Sequence, residues 1–112
     1  MKVKYKVAVI GAGSMGVALA QVIAEKRHKV ALWNYDSDVL RKIEDDRKCK
    51  FLRGVKLSDN ICPVDDINEA VRHAELVILA VSSPYVRQVA RLIAPTLKPK
   101  TIVVNVAKGI EA

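Results

Sequence analysis

The sequence predicts an α/β fold, a doubly wound parallel sheet of about five strands in the order 3-2-1-4-5 with helices on both faces. Three observations carry this expectation. Apolar runs of strand length alternate with segments of helical periodicity along the chain. The first run leads directly into Gly11-Ala12-Gly13-Ser14-Met15-Gly16, which in turn opens a helical pattern. The run 76–81, Leu-Val-Ile-Leu-Ala-Val, is too short for most helices and has no polar face, as a strand buried on both sides requires. Strands separated by helices call for parallel pairing with right-handed crossovers, and the glycine-rich start sets the order.

The elements follow in sequence. Val3, Tyr5, Val7 and Val9 are expected on one face of the first strand with Lys2, Lys4 and Lys6 opposite, until Ala8 and Ile10 make both faces apolar. Residues 15–23 are almost continuously apolar and are followed by Glu25-Lys26-Arg27-His28-Lys29, read as a mostly basic last helical turn. A second strand spans 29–33, and the polar turn 34–38 offers N-caps for a helix carrying Val39, Leu40 and Ile43. After a charged stretch, 61–64 reads as a short third strand that Pro63 assigns to an exposed edge. Asp66-Ile67-Asn68-Glu69 resembles a capping box, with Ile67, Ala70, Val71 and Ala74 spaced as a helical stripe. Beyond the central strand, Ser82-Ser83-Pro84 reads as a cap and a proline at the first helical position. Val86, Val89, Ala90, Ile93 and Leu97 form the inward face of that helix, and Pro95 ends or bends it. Residues 101–106 are the last strand.

With 112 residues, 51% of them hydrophobic, one core and one domain spanning 1–112 are expected. No apolar stretch approaches a membrane span and no signal-peptide pattern precedes the first strand, so a cytoplasmic location is expected. Cys49 and Cys62 lack both metal-ligand spacing and a disulfide framework, and read as unpaired thiols in a reducing compartment; no metal site is expected. The net charge of +7 raises the question of nucleic acid. The basic residues are scattered, aromatics are 4%, and no helix-turn-helix or zinc pattern is present, so no nucleic-acid partner is expected. A positive field also attracts an anionic cofactor or a phosphorylated substrate.

The glycine motif between strand and helix is the fingerprint of a Rossmann-like dinucleotide site. Gly11 permits the tight turn, Gly13 leaves room for a pyrophosphate, Gly16 allows close helix packing, and the helix N-terminus offers N–H groups to the phosphates. In such a sheet the ligand lies beyond the carboxyl ends of the strands, which gathers 11–16, 34–36, 82–84 and 107–109 along one edge. Asp36, 20 residues beyond Gly16, stands where a carboxylate binds the adenosine ribose; it is equally placed to cap the following helix. Tyr35 can cover an adenine face. No Arg lies between Lys29 and Val39, which favours NAD, with NADP left open through Arg41 or Lys42. Ser82 and Ser83 can contact the cofactor or serve as caps. No G-x-S-x-G supports a nucleophilic serine, and His28 and His73 read as surface residues near helix ends. Lys108, directly after the last strand, can meet a substrate oxygen or phosphate.

Residues 11–20, Leu32-Trp33, Lys50-Phe51-Leu52-Arg53-Gly54-Val55-Lys56-Leu57-Ser58-Asp59-Asn60-Ile61 and Lys108-Gly109-Ile110-Glu111 together resemble the NAD(P)-dependent glycerol-3-phosphate dehydrogenase family over nearly the whole chain. The resemblance implies an oxidoreductase that interconverts glycerol 3-phosphate and dihydroxyacetone phosphate, supplying phospholipid backbones. It implies that Gly11, Gly13, Ser14, Met15 and Gly16 hold the pyrophosphate, that Phe51 lies near the nicotinamide half and that Lys108 contacts the substrate; with Trp33, Tyr35, Asp36 and Ser82 from the reading of the residues themselves, and Lys108 again, these make up the expected cofactor site. The family's helical C-terminal domain, with another active-site lysine, is not in this sequence. The chain is therefore expected to be the cofactor domain without turnover of its own, carrying no catalytic residue, and to self-associate through the surface that domain would cover. The sequence departs from the family at Ser82-Ser83-Pro84, where Pro-Ser is usual, and at Arg53 and Ser58, where prolines are common. The alternatives are a 6-phosphogluconate- or ketopantoate-type reductase domain sharing the glycine motif, and a non-catalytic module that senses a dinucleotide.

Overall fold

The structure, a computed structural model, describes residues 4–49 and 52–106. Strands and helices alternate as β1 (Val7–Ile10), α1 (Ser14–Glu25), β2 (Val30–Trp33), α2 (Ser37–Asp46), β3 (Ile61–Pro63), α3 (Ile67–Val71), β4 (Leu76–Leu79), α4 (Ser83–Ile93) and β5 (Ile102–Asn105). The five strands form one sheet in the order β3-β2-β1-β4-β5, and the pairings are parallel. This is the topology expected from the sequence.

The sheet separates two apolar clusters. Val9, Leu32, Ile61 and Ile78 face α1 and α2, meeting Val17, Ala20, Ala24, Leu40 and Ile43. Ala8, Ile10, Ala31, Val77 and Leu79 face α3 and α4, meeting Ile67, Ala70, Val71, Val89 and Ile93. Strands clothed on both faces must be apolar at every position, which is why β1, β2 and β4 read as continuous apolar runs. Tyr5 departs from the expected alternation: it packs with the α3/α4 cluster, opposite Val7 and Val9, because it precedes β1 and is not bound by the strand's period of two.

Helix ends follow local chemistry. The Asp36 carboxylate accepts the Asp38 N–H (3.0 Å), and that of Asp66 accepts the Asn68 N–H (2.9 Å). The basic residues from Lys26 onward lie beyond the end of α1, with Lys26 as its C-cap, not in its last turn. Helix α3 stops at Val71, and Ala74 completes the buried stripe from a following turn. At α4 the cap position falls on Ser82, whose side chain makes no capping bond, and Pro84 takes the second helical position. Pro95 follows the C-cap Ala94, as expected of a helix stop.

Gln21 is the buried polar side chain among the described residues, and both ends of its amide are used. Its oxygen accepts the Ser58 N–H (2.9 Å) and its nitrogen donates to Glu25 (2.9 Å). Arg47, in a left-handed conformation (φ 55°), caps α2, donates to the carbonyl of Ile61 and pairs with Asp59 at 3.7 Å. These contacts tie the irregular segment before β3 to α1 and α2. Cys49 and Cys62 are free thiols, and burial pushes the Cys62 thiol above its ordinary range.

Strand β5 differs from the rest. Ile102, Val103 and Val104 are 62, 42 and 41% exposed, so this apolar edge strand is partly exposed on both faces. Among the described residues no helix is long and apolar enough to cross a membrane.

Candidate dinucleotide site

The site is built where β1, β2 and β4 end side by side. The Gly11 N–H donates to the Trp33 carbonyl (2.7 Å) and the Ala80 N–H to the Ile10 carbonyl (2.8 Å), so the turn leaving β1 is held from both neighbours. Gly11 sits at φ +117°, and a Cβ there would lie 2.6 Å from the Ala80 carbonyl oxygen. A Cβ on Gly16 would collide with the carbonyl of Gly11, while Ala80 packs against its other side. Both positions therefore demand glycine for reasons internal to the protein.

Gly13 is different. Its φ of −78° suits any residue, and a Cβ built there meets nothing within 4 Å. It is the N-cap of α1, which has no side-chain cap and no acidic residue in its first turn. Among the described residues, helix α1 thus begins without a side-chain cap and beside open space, with Ser14 and Met15 exposed at its first turn. That arrangement suits an anion such as a pyrophosphate.

Around this turn the structure gathers the residues singled out from β2 and β4. Tyr35 follows β2, and Tyr85 lies in the first turn of α4 after β4; their rings meet at 5.7 Å between centroids with a 36° tilt. Because β1 runs between β2 and β4, the two rings span the end of β1 beside the glycine turn. Tyr85 was not anticipated from the sequence, since one exposed aromatic on an amphipathic helix gives no signal until its partner is known. Asp36 is exposed and serves as the α2 cap, so the capping half of its two expected roles is realised. Trp33 is half-buried against the α3/α4 cluster, and its indole N–H donates to the Asp65 carbonyl (2.9 Å). A cleft of about 400 Å³ lies beside it, lined by Asn34, Tyr35, Ser37 and Arg41 among others. A second cleft, about 760 Å³, is on the other flank of α2, lined by Val39, Cys49, Leu52 and Val55 with Asp36 and Lys42, and its described lining includes none of the glycine-turn residues. Ser82 is exposed at the head of α4. Phe51 and Lys108 lie outside the described residues.

A parallel sheet in the order 3-2-1-4-5, a glycine turn at its switch point and an open helix N-terminus define a Rossmann-type nucleotide-binding protein. The sequence profile of the NAD-dependent glycerol-3-phosphate dehydrogenase N-terminus matches residues 6–112, and the chain belongs to that family. It is 43% identical over 109 residues to glycerol-3-phosphate dehydrogenase [NAD(P)+] of Moorella thermoacetica, covering 96% of this chain and 32% of that protein. With the enzyme of the same name from Citrifermentans bemidjiense it shares 40% over 107 residues, covering 95% of this chain and 32% of the relative. The crystal structure of glycerol-3-phosphate dehydrogenase from Coxiella burnetii superposes with a TM-score of 0.88 at 28% identity, covering 96% of this chain and 33% of that one. The chain spans about a third of the length of these relatives.

Proposed function

We propose that residues 1–112 form the cofactor-binding domain of an oxidoreductase that interconverts sn-glycerol 3-phosphate and dihydroxyacetone phosphate with NAD(H), in the synthesis of glycerophospholipid precursors in the cytoplasm. The observation that carries the binding reading is Gly13. Its backbone conformation suits any residue and a Cβ there would meet no described neighbour, so the glycine leaves the open end of α1 accessible to an approaching ligand. Family membership supplies the substrate pair.

In this reading Gly11 and Gly16 shape the turn, and the N–H groups of Ser14 and Met15 receive the pyrophosphate at Gly13. Asp36 uses one carboxylate oxygen as the cap of α2 and offers the other to a ribose hydroxyl. Tyr35 and Tyr85 provide the adenine platform, and Trp33 braces the β2 end beneath it. The exposed Ser82 is assigned to the cofactor's second half; the sequence assigns Phe51 to the same half and Lys108 to the substrate phosphate or oxygen. NAD held by these residues would supply the hydride acceptor for oxidation of glycerol 3-phosphate. The described residues of this chain bind and orient the cofactor, and none of them is assigned a catalytic step. The carboxylate of Asp36 favours NAD over NADP, whose added phosphate would face that charge. The exposed β5 strand supports self-association of the isolated chain.

Titration of the purified chain with NADH and NADPH, followed by Trp33 fluorescence, tests the reading. Saturable quenching with tighter NADH binding is expected, together with no reduction of dihydroxyacetone phosphate. Absence of binding by either cofactor would remove the dinucleotide assignment.

A further inference from the structure

The backbone ladder between β1 and β2 ends at one rung, the Gly11 N–H on the Trp33 carbonyl at 2.7 Å. Past that rung the two chains part: β1 enters the glycine turn and β2 enters the turn that caps α2. The Asn34 side chain spans the gap. Its Oδ1 accepts the Ala12 N–H at 3.2 Å, and its Nδ2 donates to the Asp36 carbonyl at 3.3 Å. That same carbonyl accepts the Val39 N–H at 3.2 Å in the first turn of α2. Ala12 is 1% exposed, so its N–H needs a protein acceptor, and Asn34 supplies it across 22 residues of sequence. In effect the amide adds a side-chain rung to the ladder, inside the glycine turn itself.

We propose that Asn34 is a positioning residue for the dinucleotide, acting through Ala12 and Asp36 without touching the ligand. It holds the glycine turn in the conformation that leaves Gly13 open, and it sets the spacing between that turn and the turn bearing Tyr35 and Asp36. The pyrophosphate cradle and the adenosine side of the site are thereby one unit. This inference rests on the dinucleotide reading above.

The test compares wild type with Asn34→Leu, which removes both bonds at similar bulk, and Asn34→Asp, which keeps the acceptor and loses the donor. Each is titrated calorimetrically with ADP and with adenosine, and amide hydrogen exchange is followed residue by residue. For Asn34→Leu, ADP affinity is expected to fall at least tenfold and adenosine affinity by a smaller factor. The Ala12 amide should lose its protection while Ala8, Val9 and Ile10 keep theirs. In Asn34→Asp the Ala12 amide should stay protected, which keeps the inference open to test if the leucine variant does not fold. A merely structural asparagine would lower protection throughout β1 and weaken both ligands alike, and that result would overturn the proposal. So would wild-type ADP affinity in a leucine variant that has lost Ala12 protection, or loss of Ala12 protection in the aspartate variant. Failure of the wild-type chain to bind ADP would overturn the dinucleotide reading and the proposal together.

Discussion

Replacing Gly13 by alanine separates the ligand's demands from the protein's. The added Cβ meets nothing within 4 Å and the backbone conformation suits alanine. Reduced freedom of the unfolded chain favours the variant by ~0.4–1 kcal/mol. Alanine is a poorer N-cap than glycine by a comparable amount. The two effects nearly cancel, so the melting temperature should stay within about 5 °C of wild type. Gly16→Ala is the contrasting case. Its Cβ overlaps the Gly11 carbonyl, a backbone group that cannot step aside, and should cost at least about 1–3 kcal/mol, or roughly 5–15 °C. For ADP the order reverses in meaning: the Gly13→Ala methyl stands in the open space over the N–H groups of Ser14 and Met15. Displacing the pyrophosphate from one charge-assisted hydrogen bond costs ~1.5 kcal/mol or more, at least about tenfold in Kd. Calorimetric titration with ADP and thermal melts read both quantities on the same protein. If Gly13→Ala binds ADP as wild type does, the assignment of that space to a ligand is wrong; if it melts like Gly16→Ala, the packing argument is wrong.

Further outcomes follow from the same geometry. Asp36→Ala should melt a few degrees lower through loss of the α2 cap, worth ~1 kcal/mol, and should lose about tenfold in NADH affinity while narrowing the gap to NADPH; an unchanged gap in titrations of both cofactors would leave Asp36 a cap only. In sedimentation velocity the wild-type chain should show weak, concentration-dependent association, which Val104→Lys on the edge strand β5 abolishes; concentration-independent wild-type sedimentation would refute self-association through this strand. Burial, aided by nearby Lys98, Lys4 and Arg72, holds His73 below its ordinary value of 6.5, so the fold favours the neutral imidazole. The unfolded chain then binds the extra proton first, and stability present above pH 6.5 should be lost as pH falls through the lowered value; melts from pH 7.5 to 5 should show a smaller decline in His73→Gln than in wild type.

What could be read in the sequence was whatever depends on local pattern. The alternation of elements, the sheet order and the glycine turn all follow from periodicities and spacings within a few dozen residues. Element ends were less legible, because a cap such as Ser82 or a stop such as that of α3 after Val71 depends on which neighbour completes the bonding. Alternation extended past the start of β1 puts Tyr5 on the wrong face, because Tyr5 lies outside the strand. Long-range contacts were invisible. Nothing near Asn34 marks it as the acceptor for Ala12, and Tyr85 gains meaning only from Tyr35, fifty residues earlier. Strand β5 illustrates a further limit: its apolar residues resemble a buried strand, but whether they are buried is decided by what lies on either side of the sheet, which the strand itself does not encode.

The contrast between β5 and the other end of the sheet bears on how the site works. The glycine turn rises from β1, the middle strand, whose residues Ala8, Val9 and Ile10 are fully buried and whose neighbours β2 and β4 are nearly so. Local opening there would expose both apolar clusters at once, so the turn inherits the stability of the core; on the proposed reading the phosphate donors are therefore preorganised and little ordering cost attends binding. Asn34 extends that rigidity one residue further, into the turn and across to α2. Strand β5 is exposed along its length, and among the described residues it is less deeply packed than β1, β2 and β4. A dinucleotide laid along this edge would find its adenosine and pyrophosphate half on the rigid part and its nicotinamide half toward the less deeply packed part. Binding free energy should accordingly reside in the ADP moiety, and the exposed tyrosine pair beside the turn, not the far edge, should decide how tightly the isolated chain holds its ligand.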